Sequence, residues 1–299
     1  MATSLTSPGL VLGSSMALME AQRAVAFAKL FSTDFSAELQ GLGKTLAVPV
    51  FSGNATSYDD STNDFETTDG AIIPVNVTLD TLVKVTYKLG VTDLLEVDKT
   101  STTRNCGIAG GRAIARKIEE LIVGKLDYTN AAAQATSFTV AKLGKAVATA
   151  EKNDLDPATL VAILAPDAYG DLLDANTANA AITGDDIAGA LGRKYGIKAI
   201  VSSAKVSNAN ASGATKGAGF LVADSAIAIA GRGIEQAVDG LYNEYGTTTD
   251  DASGLTITSF VHGQPGKNAR FMNVAALFGA KLTRTAANKA PGYIQLVTA

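Results

Sequence analysis

The chain has 299 residues, 46% of them apolar, with mean hydropathy +0.17, enough for one large domain or two smaller ones around a substantial core. Its 25 basic and 29 acidic residues give a net charge of -4 with no long basic block, which argues against tight tracking along a nucleic-acid backbone. One histidine and one cysteine exclude the common zinc sites and any intrachain disulfide, and the apolar runs are too short to span a membrane.

Residues 1–15 are small, polar and aperiodic and read as an arm or tail. The opening MATSLTSPG has no basic segment followed by an apolar run, so no secretory signal is expected, in keeping with a lone Cys106 in a reducing compartment. From Met16 to Leu30 a helix is predicted, with Ala17, Leu18, Ala21, Ala24, Val25 and Ala28 on one side. Its continuation KLFSTDFSAEL is amphipathic but interrupted by Ser and Thr. TLAVPVF, Thr45 to Phe51, is a short strand, and Pro49 makes it an edge or irregular one. A polar, turn-forming stretch follows to Gly70. Alternation then returns from Ile72 to Tyr87, with Ile73, Val75, Val77 and Leu79 on one face, and Val83, Val85 and Tyr87 keeping the same parity. Two strands joined by a long polar tip form an extended arm with little core of its own, and such a hairpin is marginal in water without a partner to rest on.

Gly107 to Leu126 carries Ile114, Ile118, Leu121, Ile122 and Leu126 at helical spacing, and Arg116 and Glu120 are spaced to pair across one turn. A second helix is predicted from Ser137 to Asn153, with Phe138, Val140, Leu143 and Val147 apolar, ended by Asn153-Asp154-Leu155-Asp156-Pro157. Leu160 to Leu164 is a buried strand. Asp167 is positioned to cap a short helix from Ala168 to Leu173, and a loop is expected from Asp174 to Ile187. Strands are predicted at Ile197–Val201, Gly219–Ala223 and Ala226–Ala230, a loop at 241–255, and late strands at Leu255–Phe260, Phe271–Thr283 and Tyr293–Val297. No internal repeat or heptad pattern is present.

None of the chemical motifs survives inspection. Gly41-Leu42-Gly43-Lys44-Thr45 has the end of a phosphate loop, but the first glycine of that motif falls on Glu38, whose carboxylate opposes phosphate, and a strand-like run follows where a helix is needed. Gly107-Ile108-Ala109-Gly110-Gly111 lacks dinucleotide spacing, so its glycines are assigned to close approach of a helix to another segment. Arg104 beside Cys106 favours a thiolate, but a nucleophile needs a base and His262 is the only imidazole. The pairs Asp59-Asp60, Asp185-Asp186 and Asp250-Asp251 lie in polar loops and are assigned to solubility. The Asn-x-Thr/Ser triplets at Asn54, Asn76 and Asn210 are read as chance. No catalytic, cofactor or metal residue is predicted, and the chain is read as no enzyme.

The order of elements resembles the HK97-like capsid family of tailed bacteriophages, with a flavour closer to podophage and P22-like coat proteins. MEAQRAVAFAKLFSTDFSAEL resembles the N-terminal arm, TLAVPVFSG…TTDGAIIPVNVTLD the E-loop, and RNCGIAGGRAIARKIEELIVGKLD the spine helix of the P-domain. TLVAILAPDAYGDLLD, YGIKAIVSSAKV and GFLVADSAIAIAGRG resemble strands and a helix of the A-domain. The resemblance implies an α+β fold divided into an arm at 1–44, an E-loop at 45–87, a P-domain with spine helix at 88–157, an A-domain at 158–265 and P-domain return strands at 266–299. It implies a major capsid protein that self-assembles into hexamers and pentamers of an icosahedral shell around double-stranded DNA, without sequence-specific binding, membrane or cofactor. The implied setting is the virion, assembled in the host cytoplasm with a separate scaffolding protein, a portal and a cement protein. No lysine lies between Phe51 and Thr81, so the lysine–asparagine linkage of HK97 itself is not expected. Intersubunit contacts are expected at Phe51, Ile73, Val75 and Val77 on the hairpin and at Asp185, Asp186 and Arg193 in the axial loops. The rival readings are an encapsulin-like compartment shell, an α/β enzyme, and a tail or decoration protein.

Overall fold

In the computed structural model, residues 15–21, 27–31, 45–53, 70–90, 99–127, 131–135, 139, 142–177, 187–206, 216–234, 244–250, 255–264, 269–285 and 291–298 are described. The chain divides into two units, each assembled from three stretches of sequence. The first takes Met1–Leu46, Thr78–Gly124 and Ile229–Ala280, the second Ala47–Val77, Lys125–Ala228 and Lys281–Ala299.

The first unit is a helix on a sheet. Strands β3 (Thr81–Gly90), β11 (Ala269–Leu282), β10 (Thr256–Gln264) and β9 (Glu244–Thr249) lie in the order β3-β11-β10-β9, and β8 (Ile227–Arg232) also pairs with β11. The register Val83↔Ala276, Val85↔Val274 and Tyr87↔Met272 puts the apolar parity of β3 and β11 on one face. Helix α1, Lys99–Val123, packs there, with Ile114, Ile118 and Ile122 fully buried. The sequence places its start near Gly107, but the helix begins two turns earlier. Those turns carry exposed polar residues such as Arg104 and Asn105, so they show no apolar period. The glycines thus lie in mid-helix. A Cβ on Gly110 would come within 2.9 Å of Val274 Cβ, and one on Gly111 would overlap the Ala17 carbonyl oxygen, so this pair lets α1 touch the sheet and the helical residues 15–20 together. Arg112 Nε donates to Glu20 at 2.8 Å across the same junction. Glu120 pairs with Lys117 three residues before it, not with Arg116 as the spacing suggested.

Strand β9 falls where a loop was expected. EYGTTT has no apolar alternation, and β9 instead pairs with β10 through facing threonines: Thr249 with Thr256 at 3.1 Å and Thr247 with Thr258 at 3.4 Å between hydroxyl oxygens.

The second unit is built on a mixed sheet of order β4-β12-β7-β5-β6, where β4 is Gln134–Ala135, β5 Leu160–Leu164, β6 Ala199–Ser202, β7 Lys216–Ala223 and β12 Tyr293–Thr298. All five residues of β5 are buried, as expected of a central strand covered on both faces. Helix α2 (Leu143–Glu151) packs on β7 and β12, while α3 (Pro166–Thr177) and α4 (Ile187–Tyr195) pack on β6. Helix α2 is shorter than predicted: Thr139 is not helical, and Phe138 and Val140 lie outside the described residues. Helix α3 starts at Pro166, so Asp167 sits in its first turn, not at its cap, and α3 runs to Thr177 into the predicted loop. Helix α4 was not predicted; it ends at Gly196, whose φ of +69° suits the residue after a helix, with Ile197 N–H closing on Gly192 O at 2.9 Å. Tyr293, fully buried, donates its hydroxyl to Asp127 O at 2.6 Å and accepts from Asp127 N–H at 3.1 Å. Burial pushes the Tyr293 phenol well above its ordinary range.

The alternation from Ile72 to Tyr87 is not one strand. It breaks at Leu79 and Asp80 into β2 (Gly70–Thr78) and β3, which belong to different sheets. Strand β2 pairs only with β1 (Thr45–Gly53), making a two-stranded ribbon among the described residues.

Candidate assembly surface

Two strands cannot cover themselves. In β2 the side chains alternate: Ile73 and Val75 are half-buried and Val77 is buried, while Ile72, Pro74, Asn76 and Thr78 face outward. In β1, Val48 and Val50 are buried, and Ala47 and Pro49 are exposed. On the covered face burial therefore rises from half-buried Ile73 and Val75 to Val77, which is 1% exposed, while Ile72 on the other face is 66% exposed. At one end of the pair the hydroxyls of Thr45 and Thr78 stand 3.4 Å apart. Each strand carries one proline, Pro49 or Pro74, whose nitrogen has no proton to give a further strand.

The predicted contact residues are distributed unevenly. Ile73, Val75 and Val77 share one face of β2, as the parity required. Phe51 belongs to β1, but its side chain lies outside the described residues, as do Asp185 and Asp186 entirely. Arg193 sits exposed in the last turn of α4. Sequence reasoning passed over Ile72, Leu82 of β3 (50% exposed) and Met19 (57% exposed), the large apolar side chains most exposed among the described residues. Their signal was available: Ile72 and Leu82 are apolar residues at the polar parity of their strands, and Met19 lies off the apolar side of its helix.

The residues that suggested chemistry hold structural places. Thr45 opens a strand, which excludes a phosphate loop there, and 41–44 lie outside the described residues. Cys106 is half-buried in α1, and burial pushes its thiol up, so the expectation that Arg104 favours a thiolate fails. The same burial raises the phenol of Tyr87, with Cys106 adding to it. The His262 ring stacks on Phe271 at 5.3 Å, and the amide of buried Asn273 donates to its Nδ1 at 3.0 Å. Asn273 Oδ1 accepts from Thr86 at 2.7 Å, so the imidazole is one end of a hydrogen-bond chain across β10, β11 and β3. Asp250 pairs with Lys29 at 3.3 Å; Asp59, Asp60 and Asp251 lie outside the described residues. Among the described residues no cluster has the makings of a metal site, and no helix is long and apolar enough to cross a membrane.

No family model and no curated relative matches the chain. Solved structures do. One from Mycobacterium phage Che8 is 14% identical over 90% of this chain and 90% of its own, with a TM-score of 0.56. The capsid of Ralstonia phage GP4 is 14% identical over 86% and 84%, at 0.54. The capsid of cyanophage P-SCSP1u is 16% identical over 86% and 84%, at 0.53. At such identities the likeness is one of fold, and the fold is the mixed α+β architecture of phage capsids.

Proposed function

We propose that this chain is the major capsid protein of a tailed bacteriophage, building an icosahedral shell of hexamers and pentamers that encloses double-stranded DNA. The observation that carries this reading is the extent of the match: capsid structures align with more than four-fifths of this chain and of their own, so the likeness spans the architecture and not one shared motif. In this reading the fold is HK97-like. An arm, an E-loop, a P-domain with α1 as spine helix, an A-domain and strands returning to the P-domain follow one another along the chain. The chain is structural, not enzymatic, and works in the virion after assembly in the host cytoplasm with a scaffolding protein, a portal and a cement protein.

The ribbon supplies the physical reason for assembly. An isolated hairpin is marginal, and this one leaves Ile72 open and Ile73 and Val75 half-covered. Val77, already buried, anchors one end; Phe51, Ile73 and Val75 meet a neighbouring subunit, and Asp185, Asp186 and Arg193 meet around the capsomer axis. The contacts are non-covalent. A low share of charged residues, 18%, suits a surface largely covered by copies of itself. Electron microscopy of the purified chain under assembly conditions, without cross-linker, tests the proposal. Closed shells with knobbed capsomers are expected; a uniform small particle overturns it.

A further inference from the structure

Helix α1 covers one face of the first unit's sheet, where Gly110 lies against Val274. The register of β3 on β11 sends Leu82, Lys84, Thr86 and Lys88 to the other face. All four are exposed, Leu82 by 50%. They form a row at the edge of the sheet, since β3 pairs only with β11 among the described residues. Thr86 donates to Asn273 Oδ1 at 2.7 Å, which fixes the middle of the row. Neither lysine is paired with a carboxylate among the described residues, and on this face β3, β9, β10 and β11 carry no Asp or Glu. Lysines on an edge strand keep it from joining stray strands, but that role gives no reason for an exposed leucine in the same row.

The connection between β1 and β2, residues 54–69, has the opposite character. It holds Asp59, Asp60, Asp64, Glu66 and Asp69 and no Lys or Arg, so it carries -5 in a chain whose total is -4. An extended chain places Tyr58, Asp60, Thr62 and Asp64 on one side. Their order, aromatic, acid, threonine, acid, matches Leu82, Lys84, Thr86 and Lys88 at the same two-residue spacing.

We propose that the row from Leu82 to Lys88 receives this connection from a second copy of the chain, with Asp60 against Lys84, Asp64 against Lys88 and Tyr58 on Leu82. The inference rests on the shell reading above and adds which surface of the neighbour takes the ribbon, and through which charges. The contact is side chain to side chain. Each exposed ion pair is weak and screened by salt, so a single contact stays reversible, while an assembly that repeats it holds. Duplex DNA fits less well: two lysines about 13 Å apart along a strand offer it two phosphate contacts and leave Leu82 without a role.

The test follows assembly of the full chain by sedimentation at low salt, and shell closure by electron microscopy. Lys84→Glu with Lys88→Glu reverses the row, and Asp60→Lys with Asp64→Lys reverses the connection. Each pair of substitutions is expected to lower the sedimenting fraction by about tenfold or more. An equimolar mixture of the two variants recovers most of it, because the row of each then meets the connection of the other. The chain carrying all four substitutions recovers it alone, which also shows that the reversals leave the chain folded. Unchanged sedimentation in either variant overturns the inference, and a loss confined to the row variant points to an acidic partner of another kind. Recovery with all four substitutions but not in the mixture puts the contact within one chain and overturns it too, as does recovery in neither. Closed shells from the parent beside any of these results leave the shell reading standing. Complexes that obey the charge reversals yet never close end the shell reading while the contact stands.

Discussion

Strands β5 and β2 pair isoleucine with neighbours of similar kind, yet they meet different surroundings. In β5 every side chain from Leu160 to Leu164 is buried, and in its sheet the strand lies between β7 and β6. In β2 the burial is one-sided, and on the covered side it fades from Val77 to half-buried Val75 and Ile73. One strand draws its stabilisation from its own chain. The other is left partly unfilled, which makes sense for a surface completed by another copy.

The sharpest way to break this contrast is to cut the same side chain in both places. Ile163→Ala is expected to cost about 2–5 kcal/mol in chemical denaturation of the unassembled chain, whereas Ile73→Ala costs less than about 1 kcal/mol yet lowers the yield of closed shells. Equal costs in the unassembled chain would mean the ribbon is already complete. Next in size, Gly111→Val forces a side chain into the Ala17 carbonyl; a loss of about 1–3 kcal/mol is expected, with faster proteolysis of the N-terminal segment. Gly170→Ala in α3, where a Cβ meets nothing within 4 Å, instead gains up to about 1 kcal/mol.

Tyr293→Phe probes the filled sheet by pH. The folded phenol resists ionisation while the unfolded one titrates near its ordinary value of 10.0, so the parent loses stability as pH rises above about 10. The variant is expected to be less stable by about 1 kcal/mol at neutral pH, through loss of the Asp127 bonds, and to melt with a flatter alkaline limb. The smallest effect concerns Ser259, fully buried in β10 with no hydrogen-bond partner for its hydroxyl. Ser259→Ala is expected to raise the melting temperature slightly, by up to about 1 kcal/mol of stability.

What the sequence disclosed follows from the same contrast. Strand β5 was legible because burial on both faces leaves an unbroken apolar run, and the parity of β2 and β3 was legible because one-sided burial leaves alternation. Strand β9 was not, since threonine hydroxyls pair across it without apolar side chains. The break at Leu79–Asp80 was hidden because the parity continues across it into a different sheet. Of the surfaces, the ribbon could be read from alternation and a missing third strand.

The prolines of the ribbon bear on what kind of object these subunits can make. A bare pair of strands invites copy after copy to add on by main-chain bonds, and that growth has no natural end: it leads to a fibre. Pro49 and Pro74 each remove a donor such growth would need. Association is thereby diverted to side-chain faces, where shape fixes the angle between neighbours, and fixed angles are what allow an assembly to curve back and close on itself.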